Sequence, residues 1–201
     1  MLDGPLRRVI DPPLDRLGAR LARAGFSANA LTLGGFAIGL LALPLLATGS
    51  YGLALLAIVF NRLLDGLDGA VARARGTTDW GGYLDIVCDF VFYGTVVFGF
   101  ALAESDNRLP AGLLLLSFIG TGGSFLAFAA LAARRGIETS ARGAKSLYYL
   151  GGLTEGAETI AFFVACCLFP AAFPVLAWIF STACWVTTIS RVFSAHMLLR
   201  G

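Results

Sequence analysis

Four aspartates in an apolar part of the chain are the residues whose type and spacing best fit chemistry. Asp65 and Asp68 are three residues apart and Asp85 and Asp89 are four apart, so each pair falls on one face of a helix. A turn between the two pairs would fold these helices into a hairpin. At a rise of about 1.5 Å per residue, all four carboxylates would then lie about 8–15 Å from that turn. We therefore expect the two pairs to meet.

Four carboxylates that close together require positive charge nearby. Each unpaired charge inside a membrane costs at least about 2.5 kcal/mol, and like charges repel one another. Ligand sets made only of oxygen suit Mg²⁺, Mn²⁺ or Ca²⁺, so the acids predict divalent cations, a pair of them. The alternative is a scaffold in which the acids pair with Arg62, Arg73 and Arg75, although three arginines leave one acid unmatched.

The residues around the acids favour a phosphate ligand. Gly69 and Ala72 leave the helix without bulk next to Asp68, which lets a ligand or a neighbouring helix approach. Arg73 adds a cation, and Gly81 opens the start of the next helix, where free backbone N–H groups attract anions. Metals, a cation and a helix N-terminus together predict a diphosphate site.

The amino-acid composition indicates that these aspartates belong to a membrane protein. Of 201 residues, 57% are hydrophobic and 14% are charged, and the mean hydropathy is +0.78. This predicts an all-α integral membrane protein with six transmembrane helices, because a span needs about 20 apolar residues. The predicted spans are 28–48, 51–74, 80–103, 110–133, 147–169 and 172–198. We divide the chain into an amphipathic juxtamembrane segment, residues 1–26, and a six-helix transmembrane domain with the aspartates, residues 27–201.

The basic residues predict the orientation in the membrane. Twelve of them fall in the N-terminal segment, the second and fourth connections and the C-terminus, whereas Arg108 alone lies on the opposite face. Positive connections stay in the cytoplasm, so both termini and the aspartates should face it. Arg62 and Arg191 lie inside spans and require partners there. The net charge of +2 is too dispersed to indicate nucleic-acid binding.

Eight residues of the aspartate-containing stretch, between residues 65 and 89, resemble the signature of the CDP-alcohol phosphotransferases. This family includes bacterial phosphatidyltransferases. That signature reads Asp-x2-Asp-Gly-x2-Ala-Arg, a spacer of seven to nine residues, then Gly-x3-Asp-x3-Asp. The matching residues here are Asp65, Asp68, Gly69, Ala72, Arg73, Gly81, Asp85 and Asp89, with a spacer of seven. The stretch SANALTLGGFAIGL also resembles the opening of the first span in relatives that read Thr-Pro-Asn there.

The resemblance implies an enzyme of phospholipid biosynthesis. It would transfer a phosphatidyl group from CDP-diacylglycerol to an alcohol and release CMP. Two divalent cations, Mg²⁺ or Mn²⁺, would be bound by the four aspartates, and Asp89 would also be the base that takes the proton of the acceptor. The residues implied to bind CDP are Asp65, Asp68, Gly69, Ala72, Arg73, Thr78 and Gly81. A homodimer in the bacterial cytoplasmic (inner) membrane is implied as well.

Charged residues around the fifth and sixth predicted spans are the candidates for binding the acceptor alcohol. They are Arg142, Lys145, Glu155, Glu158 and Arg191. The basic members of this set could equally serve to balance the two glutamates.

The acceptor itself stays open at this stage. Relatives that use inositol phosphate often read Gly-x2-Glu-Arg-x-Glu-Arg at this place, whereas here Gly156 and Thr159 stand where the arginines would be. We hypothesise that the acceptor is not inositol phosphate, because a phosphate near two glutamates needs several facing cations. Glycerol phosphate, serine, another lipid and an amino alcohol are the other candidates.

Two functions outside this family also fit four acids in a membrane. One is a divalent-cation transporter, although transporter sites usually lie near the bilayer midplane between repeats, and this cluster lies toward one face and occurs once. The other is a membrane protein without catalytic activity. Release of CMP from CDP-diacylglycerol would distinguish the enzyme from both.

Overall fold

The structure, a computed structural model, describes residues 3–136 and 152–199, and all regular elements in these ranges are helical. The α-helices are α1 (Asp3–Arg23), α2 (Ala28–Leu40), α3 (Ala42–Ala47), α4 (Tyr51–Arg75), α5 (Asp79–Ala103), α6 (Arg108–Arg134), α7 (Gly156–Leu168) and α8 (Phe173–Leu199). Short 3-10 turns, Ser105–Asn107 and Pro170–Ala172, precede α6 and α8. The all-α prediction is confirmed.

Helices α4, α5, α6 and α8 begin and end within two residues of the spans predicted from hydropathy. The first predicted span differs, because it is two helices joined at Leu41. Pro44 explains the break: it has no N–H to donate to the carbonyl of Leu40, and its ring crowds that carbonyl. The fifth span, predicted as 147–169, contains helix only over Gly156–Leu168 in the described residues.

Four segments are long and apolar enough to cross a membrane: Ala28–Ala47, Asp79–Ala103, Ser105–Arg134 and Pro170–Leu199. Helix α4 has 25 residues but carries Arg62, Asp65 and Asp68 along its length. Helix α7 has only 13 residues. The chain is thus a helical membrane protein with four clear candidate spans among its described residues.

Apolar side chains fill the end of the bundle that lies away from the aspartates. We call this set the phenylalanine-rich core; it is centred on Phe92, Phe100, Phe162, Phe163 and Phe173 and includes small residues of α3 and α4. Phe100 and Phe173 stack with ring centroids 4.5 Å apart, and Phe162 and Phe180 stack at 4.6 Å. These contacts hold α5, which carries Asp85 and Asp89, against α8, and they hold α7 against α8 as well.

Helix α1 packs closely against the half of α4 that carries the aspartates. Gly18 lies so near Ala70 that a side chain there would collide with it, and Leu14 contacts Gly66. Arg75 Nη2 donates to the carbonyl of Ala22 at 3.0 Å. Small residues on α4 therefore make room for a neighbouring helix at this position.

Candidate active site

The hairpin of α4 and α5 brings three of the four predicted aspartates together. Gly76 ends α4 with a φ of +104°, which glycine adopts without strain, and Thr78 caps α5 by accepting from the backbone N–H of Gly81 at 3.1 Å. Asp65, Asp68 and Asp85 each offer a carboxylate oxygen, and these oxygens all lie within 4.8 Å of one another. Asp68 is buried, and the other two are half-buried.

The fourth aspartate, Asp89, lies beside this group and is engaged by an arginine. Arg62 Nη2 donates to Asp89 Oδ1 at 2.8 Å, and Arg62 Nη1 lies 3.6 Å from Asp65 Oδ2. The side chains of Arg62 and Asp89 are 16% and 28% exposed. One guanidinium therefore bridges the two helices of the hairpin and gives Arg62 the kind of partner predicted for it.

Helix α2 closes the site from the other side. Thr32 Oγ1 donates to Asp68 Oδ2 at 2.6 Å, which orients that carboxylate. Asn61 Nδ2 donates to the carbonyl of Gly35 at 2.9 Å and thereby ties α4 to α2. These residues line a narrow cleft together with Phe36, Arg62, Asp65, Cys88 and Asp89.

The donor set fits hard divalent cations. The three carboxylates offer oxygen atoms that are close enough together for one ion to contact all of them. Mg²⁺, Mn²⁺ and Ca²⁺ prefer oxygen ligands of this kind. The hydrogen bond from Thr32 leaves the other oxygen of Asp68 available, as is usual for a carboxylate that is oriented by a residue behind it. The cluster is therefore suited to metal binding.

The other residues expected to bind CDP lie on the last two turns of α4 and at the start of α5. Arg73 extends toward α1, where its Nε and Nη2 donate to Asp15 Oδ1 at 3.0 and 2.6 Å. Gly69 leaves space for this guanidinium, because a Cβ there would lie 3.3 Å from Arg73 Nη1. A Cβ on Gly81 would lie 3.3 Å from Asn29 Oδ1, so α5 begins close to the start of α2. Ala72 is half-buried on α4.

The residues expected to bind the acceptor are only partly described. Glu155 and Glu158 form a capping box at the start of α7: each side chain accepts from the backbone N–H of the other. Glu155 Oε1 also accepts from the N–H of Gly152 at 3.1 Å. Arg191 is buried, and its Nη1 donates to the carbonyl of Thr121 at 3.0 Å. The other two candidates, Arg142 and Lys145, lie outside the described residues.

Three polar residues of the site were not among the catalytic, metal-binding or substrate-binding residues predicted from the sequence. Arg62 was recognised as a charge inside a span, and Asn61 next to it carries the same signal, since polar residues are costly there. Thr32 gave no signal, because an isolated threonine in an apolar helix usually bonds to its own helix. Thr32 Oγ1 does lie 3.1 Å from the carbonyl of Ala28, yet it also reaches Asp68.

Comparison with known proteins agrees with this geometry. Residues 26–190 match the CDP-alcohol phosphatidyltransferase family, and the chain belongs to that family. Its membership confirms the predicted class of reaction, the transfer of a phosphatidyl group from a CDP-linked lipid to an alcohol in phospholipid biosynthesis. It favours this enzyme over a cation transporter or a membrane protein without catalytic activity.

Similar sequences extend over nearly the whole chain. An Escherichia coli protein named inner membrane protein YnjF is 56% identical over 202 residues, covering 100% of this chain and 98% of its own length. The archaetidylinositol phosphate synthase of Pyrococcus horikoshii is 31% identical, with 96% of each chain covered. The phosphatidylinositol phosphate synthase of Mycobacteroides abscessus is 33% identical, covering 88% of this chain and 77% of its own length.

A solved structure shares the fold. It is the phosphatidylinositol phosphate synthase of Mycobacterium tuberculosis in complex with manganese and citrate, which is 25% identical with a TM-score of 0.70. The alignment covers 90% of this chain and 88% of that protein. That neighbour binds manganese, and the three clustered aspartates of this chain could hold a metal ion as well.

Proposed function

We propose that the chain transfers a phosphatidyl group from CDP-diacylglycerol to an alcohol, releases CMP and requires Mg²⁺ or Mn²⁺. The observation that carries the proposal is the meeting of Asp65, Asp68 and Asp85 within 4.8 Å, with Asp89 beside them. CDP-diacylglycerol is bound by a phosphatidylinositol phosphate synthase of the same fold. A cluster of acids at one end of a membrane bundle suits a donor with a polar head and two buried tails.

Two divalent cations complete the site in this proposal. Asp65, Asp68 and Asp85 would hold the first, and Asp89 would join them in holding the second. When bound, the cations neutralise the diphosphate and the charge that develops on it during transfer. The chain supplies the rest: Thr32 orients Asp68, and Arg62 orients Asp89.

Asp89 is the proposed base. It takes the proton of the acceptor hydroxyl while the hydroxyl oxygen forms a bond to the phosphorus that carries the diacylglycerol. The bond between that phosphorus and the bridging oxygen breaks, and CMP leaves with the bond's electron pair. Since Arg62 engages Oδ1 of Asp89, the other carboxylate oxygen is the proposed proton acceptor.

CDP is proposed to lie over the start of α5 and the bare surface of α4. Gly69, Ala72 and Gly81 would provide space, and Asp65 and Asp68 would hold the metal ions that neutralise the diphosphate. Arg73 faces the phosphates from the position in which Asp15 holds it. Thr78 contributes by fixing the first turn of α5, where backbone N–H groups favour an anion.

The proposed acceptor pocket comprises Glu155, Glu158 and Arg191, with Arg142 and Lys145 completing it. We propose an acceptor other than inositol phosphate, although two relatives are named for inositol phosphate products. Gly156 and Thr159 offer no cation at the start of α7, and the hydroxyl of Thr159 donates to the carbonyl of Glu155 at 2.9 Å.

The proposed membrane arrangement has six crossings, with α4 and α7 adding to the four clear spans. Within the juxtamembrane segment, residues 1–26, α1 lies as an amphipathic helix on the cytoplasmic surface, and residues 27–201 form the catalytic domain. Both termini and the site face the cytoplasm of a bacterial inner membrane, as the positive-inside rule and the name of the Escherichia coli relative support. A homodimer is proposed from the resemblance to the family.

Cysteine labelling tests this orientation. The four native cysteines are buried, so they should give little background with an impermeant reagent. A cysteine at exposed Thr77 should react only from the cytoplasmic side, and one at exposed Asp106 only from the opposite side. The reverse pattern would separate the aspartates from a cytoplasmic CDP-lipid and contradict the proposed location.

The activity is tested on purified protein by measuring CMP release from CDP-diacylglycerol with a panel of alcohols and Mg²⁺ or Mn²⁺. We expect release with one class of alcohol, its loss with a chelator, and its return when metal is added back. Preference for inositol phosphate would contradict the acceptor proposal alone. Absence of CMP release with every alcohol tested would contradict the enzyme.

A further inference from the structure

Asn61 is a buried polar residue of α4 to which the proposed mechanism gives no part. It is only 3% exposed, and a buried amide is costly unless it is hydrogen-bonded. Its Nδ2 donates to the carbonyl of Gly35 on α2 at 2.9 Å, and its Oδ1 accepts from Nε of Arg62 at 2.7 Å. The amide therefore joins α2 to the guanidinium that engages Asp89.

These two partners allow only one orientation of the amide. The carbonyl of Gly35 can only accept a hydrogen bond, and Nε of Arg62 can only donate one. Turning the amide over would place donor against donor and acceptor against acceptor. Asn61 therefore holds α2 and Arg62 together only in the arrangement observed.

Two glycines of α2 make room for Asn61. A Cβ on Gly39 would lie 2.8 Å from Asn61 Nδ2 and 2.8 Å from Phe92 Cδ2, and a Cβ on Gly35 would lie 2.9 Å from Leu64 Cβ. These distances are too short for a side chain, so α2 approaches α4 this closely because both positions are glycine. The amide is thus enclosed and has little freedom to turn away.

The hydrogen bond at Nε sets the direction of the whole guanidinium. This group is planar, so fixing its Nε–H also fixes where its two Nη atoms point. Nη2 donates to Asp89 Oδ1 at 2.8 Å, and Nη1 lies 3.6 Å from Asp65 Oδ2. Arg62 Cζ also lies 4.6 Å from the ring centroid of Phe92. The orientation of Asp89 therefore depends on a group that Asn61 holds in place.

Helix α2 supports the metal-binding side of the cluster as well. Thr32 Oγ1 donates to Asp68 Oδ2 at 2.6 Å. Thr32 and Gly35 are three residues apart, so both lie on the face of α2 that meets α4. One helix thus holds a metal-binding aspartate directly and the proposed base through two residues of α4.

We infer that Asn61 is a positioning residue for the proposed base. It fixes Arg62, and Arg62 holds Oδ1 of Asp89, so the other oxygen of Asp89 keeps its place relative to the metal ions and the acceptor hydroxyl. Proton transfer requires this geometry, and a displacement of about 1 Å can lower a rate about 100-fold. Asn61 therefore affects turnover more than binding of the donor. This inference rests on the proposed function.

The first test separates turnover from binding, using the alcohol of the panel that supports the fastest CMP release. Asn61→Leu keeps a similar volume and removes both hydrogen bonds. At saturating Mn²⁺, kcat should fall at least about 10-fold, while KM for CDP-diacylglycerol should change less than about twofold. An unchanged kcat, or a change in KM alone, would overturn the inference. If Asn61→Leu does not fold, Asn61→Ala is assayed in the same way.

Val97→Ala is the control for stability. Val97 is completely buried in the phenylalanine-rich core, about two turns further along α5 than Asp89. This variant should lower the thermal transition and leave kcat unchanged at a temperature at which it is folded. A loss of kcat as large as that of Asn61→Leu would show that any loosening of the bundle lowers turnover, which would contradict a particular role for Asn61.

A double-mutant cycle tests whether Asn61 acts through Arg62. Arg62→Met keeps an extended apolar side chain against Phe92 but has no Nε–H for Asn61 to hold. Added to Arg62→Met, Asn61→Leu should therefore lower kcat by less than about twofold, although alone it lowers kcat at least about 10-fold. Two losses that multiply would mean that Asn61 acts by another route, and would overturn the inference.

Mn²⁺ binding gives a second readout that needs no acceptor alcohol. Full-length protein in detergent is titrated with Mn²⁺ at saturating CDP, and bound ions are measured by electron paramagnetic resonance. Because Asp89 would help to hold an ion, Asn61→Leu should weaken Mn²⁺ binding at least about threefold, and it should have no further effect in Arg62→Met. Equal Mn²⁺ affinities in Asn61→Leu and the wild type would contradict the inference.

Failure of this inference is distinguishable from failure of the proposed function. If the wild type releases CMP from CDP-diacylglycerol and Asn61→Leu does so with the same kcat, Asn61 does not position the base and the enzyme stands. If no alcohol supports CMP release, the proposed function fails. The Mn²⁺ titrations then decide whether Asn61 positions Asp89.

Discussion

The phenylalanine-rich core and the aspartate site occupy opposite halves of α4 and α5. In the core, Phe100 and Phe173 stack at 4.5 Å and are completely buried. In the site, Arg62 pairs with Asp89 at 2.8 Å, and Thr32 donates to Asp68 at 2.6 Å. The same two helices are thus joined to their neighbours by packing at one end and by polar pairs at the other.

This difference determines which substitutions each half tolerates. A position in the phenylalanine-rich core needs an apolar side chain of suitable size and shape, because its neighbours are apolar and contact it only by packing. A site position needs a particular partner, since removing one member of a buried pair leaves the other without compensation. We therefore expect core changes to lower stability and site changes to lower activity.

The largest expected effect is in the core. Phe173→Ala removes the ring that stacks on Phe100 and should lower the free energy of unfolding by about 3 kcal/mol, through lost contacts and the cavity that remains. Unfolding in detergent measures this. Phe193→Ala, on the same helix but 69% exposed, is the control and should change stability little. A loss below about 1 kcal/mol for Phe173→Ala would show that this end is not held by packing.

Next in size is the proposed base. Asp89→Asn keeps the shape of the side chain but cannot take a proton, so turnover should fall at least about 100-fold while the protein stays folded. Turnover is measured by CMP release, and folding by the thermal transition. Asp106→Asn, an exposed change far from the site, should leave both unaltered. Near-normal turnover in Asp89→Asn would mean that another group is the base.

A smaller effect is expected behind the metal cluster. Thr32→Val removes the hydroxyl that orients Asp68 without changing the volume much, so Mn²⁺ affinity should fall about 10-fold. A Mn²⁺ titration measures this directly. Thr182→Val is the matched control, because the hydroxyl of Thr182 donates to the carbonyl of Trp178 within its own helix. Equal affinities in the two variants would indicate that Asp68 needs no support from α2.

The smallest effect concerns the contact between α1 and α4. Asp15→Asn weakens an ion pair whose side chains are about half exposed, and such pairs contribute at most about 1 kcal/mol. We expect the KM for CDP-diacylglycerol to rise about two- to fivefold with kcat unchanged, because Arg73 is less well oriented. Asp11→Asn, one turn earlier, serves as the control. A fall in kcat without a change in KM would contradict this role.

Helix boundaries and the meeting of the acids were predictable because both depend on local patterns. Hydropathy located α4, α5, α6 and α8 within two residues. Spacings of three and four residues on a hairpin were enough to bring Asp65, Asp68 and Asp85 together. The start of α7, in the fifth predicted span, was harder to predict. Gly152 and Thr154 precede it in a non-helical segment, where both backbone N–H groups donate to side chains.

The sequence by itself determined the membrane class, the family signature and the shared depth of the acids, since composition and helical period require no knowledge of neighbours. Only the tertiary structure decided which polar groups pair. Thr32 meets Asp68 across 36 residues of sequence, and Arg73 meets Asp15 across 58. Such pairs depend on how each helix is rotated and how closely it approaches the next, and these are properties of the packed bundle. Arg62 illustrates both contributions. The sequence showed a charged residue within an apolar segment, but only the packing of α4 against α5 determined that Asp89 is its partner.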